Sequence, residues 1–162
     1  MTVQRETLPR RRLGSSGIEI TTVGFGAWAA GGGGWAFGWG PQDDEASLAA
    51  MRRAVERGVN WIDTAAVYGL GHSEQVVGRL MRGLPAAERP LVFTKCGLSW
   101  DERTPMVQAK RILRPESIRA ECEASLRRLG VERIDLYQFH WPDESGTPVE
   151  DSWAAMARLV DE

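Results

Sequence analysis

The chain has 162 residues, of which 43% are hydrophobic and 26% charged, the make-up of one globular domain. Its formal net charge of -2 gives no global field that would attract nucleic acid or an anionic membrane. Cys96 and Cys122 are too few for a disulfide framework, no apolar run reaches the roughly 20 residues of a membrane span, and the first residues lack the apolar centre of a secretory leader, so a cytoplasmic enzyme or binding protein is expected.

Arg10, Arg11 and Arg12 form a short basic run. It reads either as a phosphate or membrane contact or as a solvated strand edge, and the edge is expected because edge strands commonly carry charge. Leu13 to Thr22 reads as a hairpin: Ser15-Ser16-Gly17 is turn material and Ile18 to Thr21 alternate with period two. The hairpin as a whole is placed at residues 10–21.

One unit then recurs four times, at about 22–58, 59–83, 91–130 and 131–162: a short apolar strand, a loop and an amphipathic helix. The first strand is Thr22 to Gly26, followed by the glycine-rich loop at 31–40 and a helix starting near Asp43-Asp44, with Leu48, Met51 and Val55 on one face and Gly58 as its stop. The second strand is Val59 to Asp63. Its loop, Thr64 to His72, leads to Ser73 as N-cap of a helix that buries Val76, Val77, Leu80 and Met81 and ends at Gly83. The third strand, Leu91 to Lys95, precedes a long polar loop to Arg114. Pro115 then opens a helix whose face is Ile118, Cys122, Leu126 and Leu129, stopped by Gly130. The fourth strand is Ile134 to His140. Thr147 to Glu150 reads as a capping box with Pro148 at the first helical position, and Trp153, Met156 and Val160 form the face of the last helix.

Strands alternating with helices imply βαβ units and a parallel sheet, either doubly wound or part of a barrel, with function gathered at the strand C-termini. Asp63, Tyr68, Lys95 and His140 all fall at or just beyond such ends. Singly, each has an ordinary structural explanation: a turn former, loop packing, a hydrogen-bonded histidine. Lys95 is harder to explain so, because it closes the apolar run LVFT in a chain with 18 Arg and only two Lys. Together they suit carbonyl reduction. An ammonium beside a phenol is expected to lower its pKa from about 10, a carboxylate keeps the ammonium charged, an imidazole orients the carbonyl, and a cofactor donates hydride. Gly24-Phe-Gly26-Ala-Trp-Ala29 also fits a dinucleotide fingerprint, but the glycines that follow argue against the helix that motif requires. Cys96 is read as inert packing, and no metal-ligand spacing is present.

The segments RRLGSSGIEITTVGFGAW, NWIDTAAVYGLGHSE, LVFTKCG and RPESIRAECEASLRRLGVERIDLYQFHWPD, in this order, resemble the aldo-keto reductase family, a resemblance that runs from about Arg11 to Glu162. It implies an α/β fold of the parallel (β/α) barrel type: an N-terminal hairpin and the first four βα units of a TIM-like (β/α)8 barrel. It also implies a reductase of aldehydes or ketones using NADPH (NADP+), with a small carbonyl compound as substrate. By resemblance Tyr68 is the proton donor, Lys95 lowers its pKa, Asp63 pairs with Lys95, and His140 orients the carbonyl. Gly26 and Trp28, with Asp63, approach the cofactor, and Trp28 and Trp141 flank the substrate. The GHSE run is read as structural. Arg114 departs from the Ser or Thr that would cap the following helix better.

A barrel of this kind takes about 250 residues, so a truncated domain is expected, with much of the cofactor grip outside it. Such a half-barrel would self-associate or pair with a complementary C-terminal half. The alternatives are a catalytically incompetent fragment and a nucleotide-sensing regulatory subunit of the same fold.

Overall fold

The computed structural model describes residues 8–162. The first seven residues, part of the stretch in which no secretory leader is expected, lie outside the described residues. Strands β1 (Arg10–Arg12) and β2 (Glu19–Thr21) pair antiparallel, with Arg10 opposite Thr21. Gly14 and Gly17, at φ 56 and 78, supply the left-handed residues of the turn. The three arginines are exposed, as a solvated edge requires.

The hairpin is tied to the rest of the chain through Asn60 and Trp61. The Thr21 N–H donates to Asn60 Oδ1 at 2.7 Å, Asn60 Nδ2 donates to the Glu19 carbonyl at 2.8 Å, and Trp61 Nε1 donates to the Thr21 carbonyl at 2.9 Å. The Trp61 indole lies where a β-carbon on Gly24 would be, so the chain passes here only as glycine.

The repeating units follow in the expected order. The first is β3 (Phe25–Gly26) with α1 (Asp44–Glu56), and the second is β4 (Trp61–Asp63) with α2 (His72–Arg82). The third starts with β5 (Leu91–Cys96), continues through a two-stranded antiparallel ribbon of β6 (Leu98–Ser99) and β7 (Lys110–Arg111), and ends in α3 (Pro115–Leu129). The fourth is β8 (Leu136–Phe139) with α4 (Val149–Asp161). Strands β3, β4, β5 and β8 form one parallel sheet in that order.

The register sorts the side chains into two faces. Phe25, Ile62 and Val92 sit side by side and meet Met51, Val76, Val77 and Leu80 of the helices. Further along, Cys96, Tyr137 and Phe139 meet Ile118 and Ala155. The other face carries Trp61, Asp63, Phe93, Lys95 and Gln138, with Trp61 stacked on Phe93 at 5.2 Å.

Several local expectations are corrected. Strands β3, β4 and β8 are shorter than their apolar runs, because the ladder forms only where neighbouring strands are in register, whereas β5 runs one residue further than expected, to Cys96. Ser73 is not a cap. It lies buried inside α2, and Gly71, at φ 101, caps the helix instead. The capping box at 147–150 does not form: Pro148 is itself the N-cap residue, and the Thr147 hydroxyl turns to Ser145. Trp153 and Val160 are 66% and 85% exposed, and α4 buries Ser152 and Ala155 instead. The long loop after β5 contains the ribbon, whose strands are too short to show periodicity. As the following glycines imply, no dinucleotide-binding helix follows the glycine fingerprint, which leads into a 3-10 turn at Ala29–Gly31. No described helix is long and apolar enough to cross a membrane.

Candidate active site

Strand pairing brings the predicted residues together. Gly26 lies opposite Asp63, Asp63 opposite Phe93, and Lys95 opposite Gln138. The His140 N–H donates to the Cys96 carbonyl at 2.9 Å, which continues the ladder by one residue past β8. Because side chains alternate along a strand, Asp63, Lys95 and His140 rise from the same face at the same end.

Lys95 Nζ donates to Asp63 Oδ2 at 2.6 Å and to the Thr64 carbonyl at 2.8 Å. It also lies 5.2 Å from the centroid of the Tyr68 ring. The ammonium, largely shielded from water, is thus compensated by a carboxylate, a backbone dipole and an aromatic face.

Tyr68 opens a tight turn, Tyr68–Gly71, in which Gly69 and Leu70 take φ 60 and 53. Gly69 and Gly31 touch backbone to backbone, leaving no space for a β-carbon on either. The Tyr68 ring packs edge-on against His140 at 5.5 Å and stacks with Trp28 at 5.9 Å, and Trp39 tilts onto Trp28 at 5.1 Å. Trp35 is buried beneath this group, 6.4 Å from Tyr68.

The electrostatics depart from expectation at Tyr68. Burial, reinforced by the Asp63 charge, pushes the phenol up to about 12. The sequence reading has Lys95 lower it, but the ammonium faces the ring, and its charge is offset by the carboxylate it binds. At neutral pH the phenol therefore holds its proton. His140 moves the other way: burial, then Lys95, pull it down to about 4, against a smaller opposing effect of Asp63. Its ring is neutral at pH 7, so one nitrogen bears a proton and the other does not.

Among the remaining predicted residues, Gly26 opens onto free space, since a β-carbon there would meet nothing within 4 Å. Trp141 stands apart: its half-exposed ring lies 4.7 Å over the guanidinium of Arg111, which is paired with Glu144. A cavity of about 1540 Å³ contains none of the four. It is lined by Asn60, Leu91 and Asp135 at the opposite strand ends. No group of three or more potential metal ligands occurs among the described residues.

Sequence reasoning missed the buried polar groups behind the site. Ser73 Oγ donates to the Ala27 carbonyl at 2.7 Å and shares a 2.9 Å hydrogen bond with Thr64 Oγ1. Glu74, fully buried, accepts from Thr94 and Arg128. The available signal was Ser73 and Glu74 on the same helical stripe as Val77 and Leu80.

A family model described as the aldo/keto reductase family matches residues 22–162. The chain is 37% identical over 159 residues to the NADH-specific methylglyoxal reductase of Escherichia coli (strain K12), covering 93% of this chain and 48% of that protein. Among solved structures it is similar to the glycerol dehydrogenase from Gluconobacter oxydans, with a TM-score of 0.80 and 41% identity over 94% of this chain and 45% of that one. It is also similar to an aldo-keto reductase from Klebsiella pneumoniae in complex with NADPH, with a TM-score of 0.65 and 27% identity over 88% and 42% of the two chains. The chain spans about half the length of the curated relatives it matches.

Proposed function

Because the chain belongs to the aldo/keto reductase family and has the hairpin and parallel βα units of part of its barrel, we propose that it carries the acid–base half of a reductase that converts aldehydes or ketones to alcohols. The observation that carries this reading is a protonated Tyr68 phenol packed against a neutral His140, with Lys95 and Asp63 beneath.

Gly26, Trp28 and Asp63 border the space for the nicotinamide, which when bound supplies the hydride; NADPH is the proposed form. His140 donates an N–H hydrogen bond to the substrate carbonyl oxygen and so fixes its direction. Tyr68 gives its proton to the same oxygen as negative charge develops there. Asp63 keeps Lys95 charged and in place against the Tyr68 ring, so the two carry a balanced charge beside the reacting phenol. Trp28 and Trp39 flank the substrate on one side of Tyr68. The substrate is a small carbonyl compound whose apolar part rests on these rings.

We further propose that turnover requires closure of the sheet, either by a complementary C-terminal half or by a second copy. Strands β3 and β8 are the sheet's two edges, and unpaired edges recruit partners. The test is cofactor oxidation with an aromatic aldehyde, run with NADPH and NADH, on the chain alone and with a relative's C-terminal half added. Turnover that falls roughly 100-fold or more in Tyr68→Phe is expected for the closed assembly. Turnover unchanged by that substitution would remove Tyr68 from its role. A chain that binds nucleotide when closed but never turns over would favour the regulatory reading.

A further inference from the structure

Behind the site lies a charged pair that the proposed chemistry does not use. Glu74 is 0% exposed and accepts hydrogen bonds from Arg128 Nε and from Thr94 Oγ1, both at 2.6 Å. Arg128 Nη2 also donates to Ser125 at 3.3 Å. Thr94 immediately precedes Lys95 on β5. The Arg128 stem presses on the turn that carries Tyr68: its Cδ lies 2.8 Å from where a β-carbon of Gly71 would be. That turn is conformationally demanding, with Gly69, Leu70 and Gly71 at φ 60, 53 and 101. A leucine with positive φ persists only where its surroundings enforce it.

We propose that the Glu74–Arg128 pair is a positioning device for Tyr68, holding the Tyr68–Gly71 turn in its strained form against the strand that carries Lys95. The proposal rests on the reading of Tyr68 as the acid. Two observations and one general consideration support it. The pair contacts both the turn and the residue before Lys95. Its neighbour Ser73 bonds Ala27 and Thr64, whose carbonyl in turn accepts from Lys95. And a buried ion pair seldom stabilises a fold more than apolar packing of the same volume does, so fixed geometry is the better account of its presence here.

The chain contains two tyrosines, Tyr68 and Tyr137, so selective carbon-13 labelling of the phenol carbons gives two signals. With Tyr68 at about 12, roughly 3% of it is ionised at a pH of about 10.5. Tyr137, raised further by burial, stays protonated while the fold persists and reports on it. In Arg128→Met the turn relaxes, the phenol gains water, and its ionised fraction rises at least fivefold while Tyr137 is unchanged. Should Arg128→Met unfold, seen as ionisation of both tyrosines, Thr94→Val is read instead and is expected to raise the Tyr68 fraction about threefold. An unchanged Tyr68 fraction in a folded variant overturns the proposal. Turnover does not enter this measurement, so failure of the reductase reading and failure of the positioning reading are separately visible.

Discussion

His140 and Tyr68 are each held in the neutral form at pH 7, and each makes a different prediction. The folded histidine sits at about 4 against an ordinary 6.5. The unfolded chain therefore binds the extra proton first, and this contribution to stability is complete above about pH 6.5 and lost as the pH falls towards 4. His140→Gln should flatten the stability–pH curve across that window, as read by urea midpoints at several pH values. For Tyr68 the identity of the residue was legible in sequence, because the motif AAVYG follows a strand end. The direction of its pKa was not. It depends on how deeply the ring is buried and on which side of it the ammonium lies, and both are set by a turn with three left-handed residues. Lys95 was legible as an anomaly in an apolar strand, and its second acceptor, the Thr64 carbonyl, was not, since backbone groups leave no trace in a motif.

At the scale of elements, the helices were legible through apolar spacing, and α2 buries the four residues expected of it. The errors lie where a face was assigned without knowing its partner: α4 turns Ser152 and Ala155 inward and leaves Trp153 outside. Gly78 offers a test of packing against propensity. Alanine normally stabilises a helix over glycine by about 1 kcal/mol. Here its β-carbon would lie 2.6 Å from the Arg128 carbonyl oxygen and 2.7 Å from that of Leu129. Gly78→Ala should therefore destabilise, by about 1–3 kcal/mol in chemical denaturation, because neither backbone can yield cheaply. Asn60→Ala removes the side-chain bonds to Thr21 and Glu19. A loss of about 1–3 kcal/mol is expected, with amide exchange accelerated first in the hairpin.

For the whole molecule, the two sheet edges and the exposed Trp153 and Val160 on α4 predict association. Light scattering at rising concentration should show a mass above that of the single chain, and an added C-terminal half from a relative should compete with it. A compact monomer at all concentrations would count against closure by a partner. The parallel sheet itself was legible from the alternation of strands and helices. Its strand order, β3-β4-β5-β8, has a consequence for synthesis. Each strand of that sheet pairs with the sheet strand made just before it, and chains fold from their N-terminus as they emerge. Asp63, Tyr68, Lys95 and His140 leave the ribosome in the order in which their strands dock. The proposed proton-handling group is thus fully emerged at residue 140, ahead of α4, so a nascent chain can assemble it earlier than its enclosure.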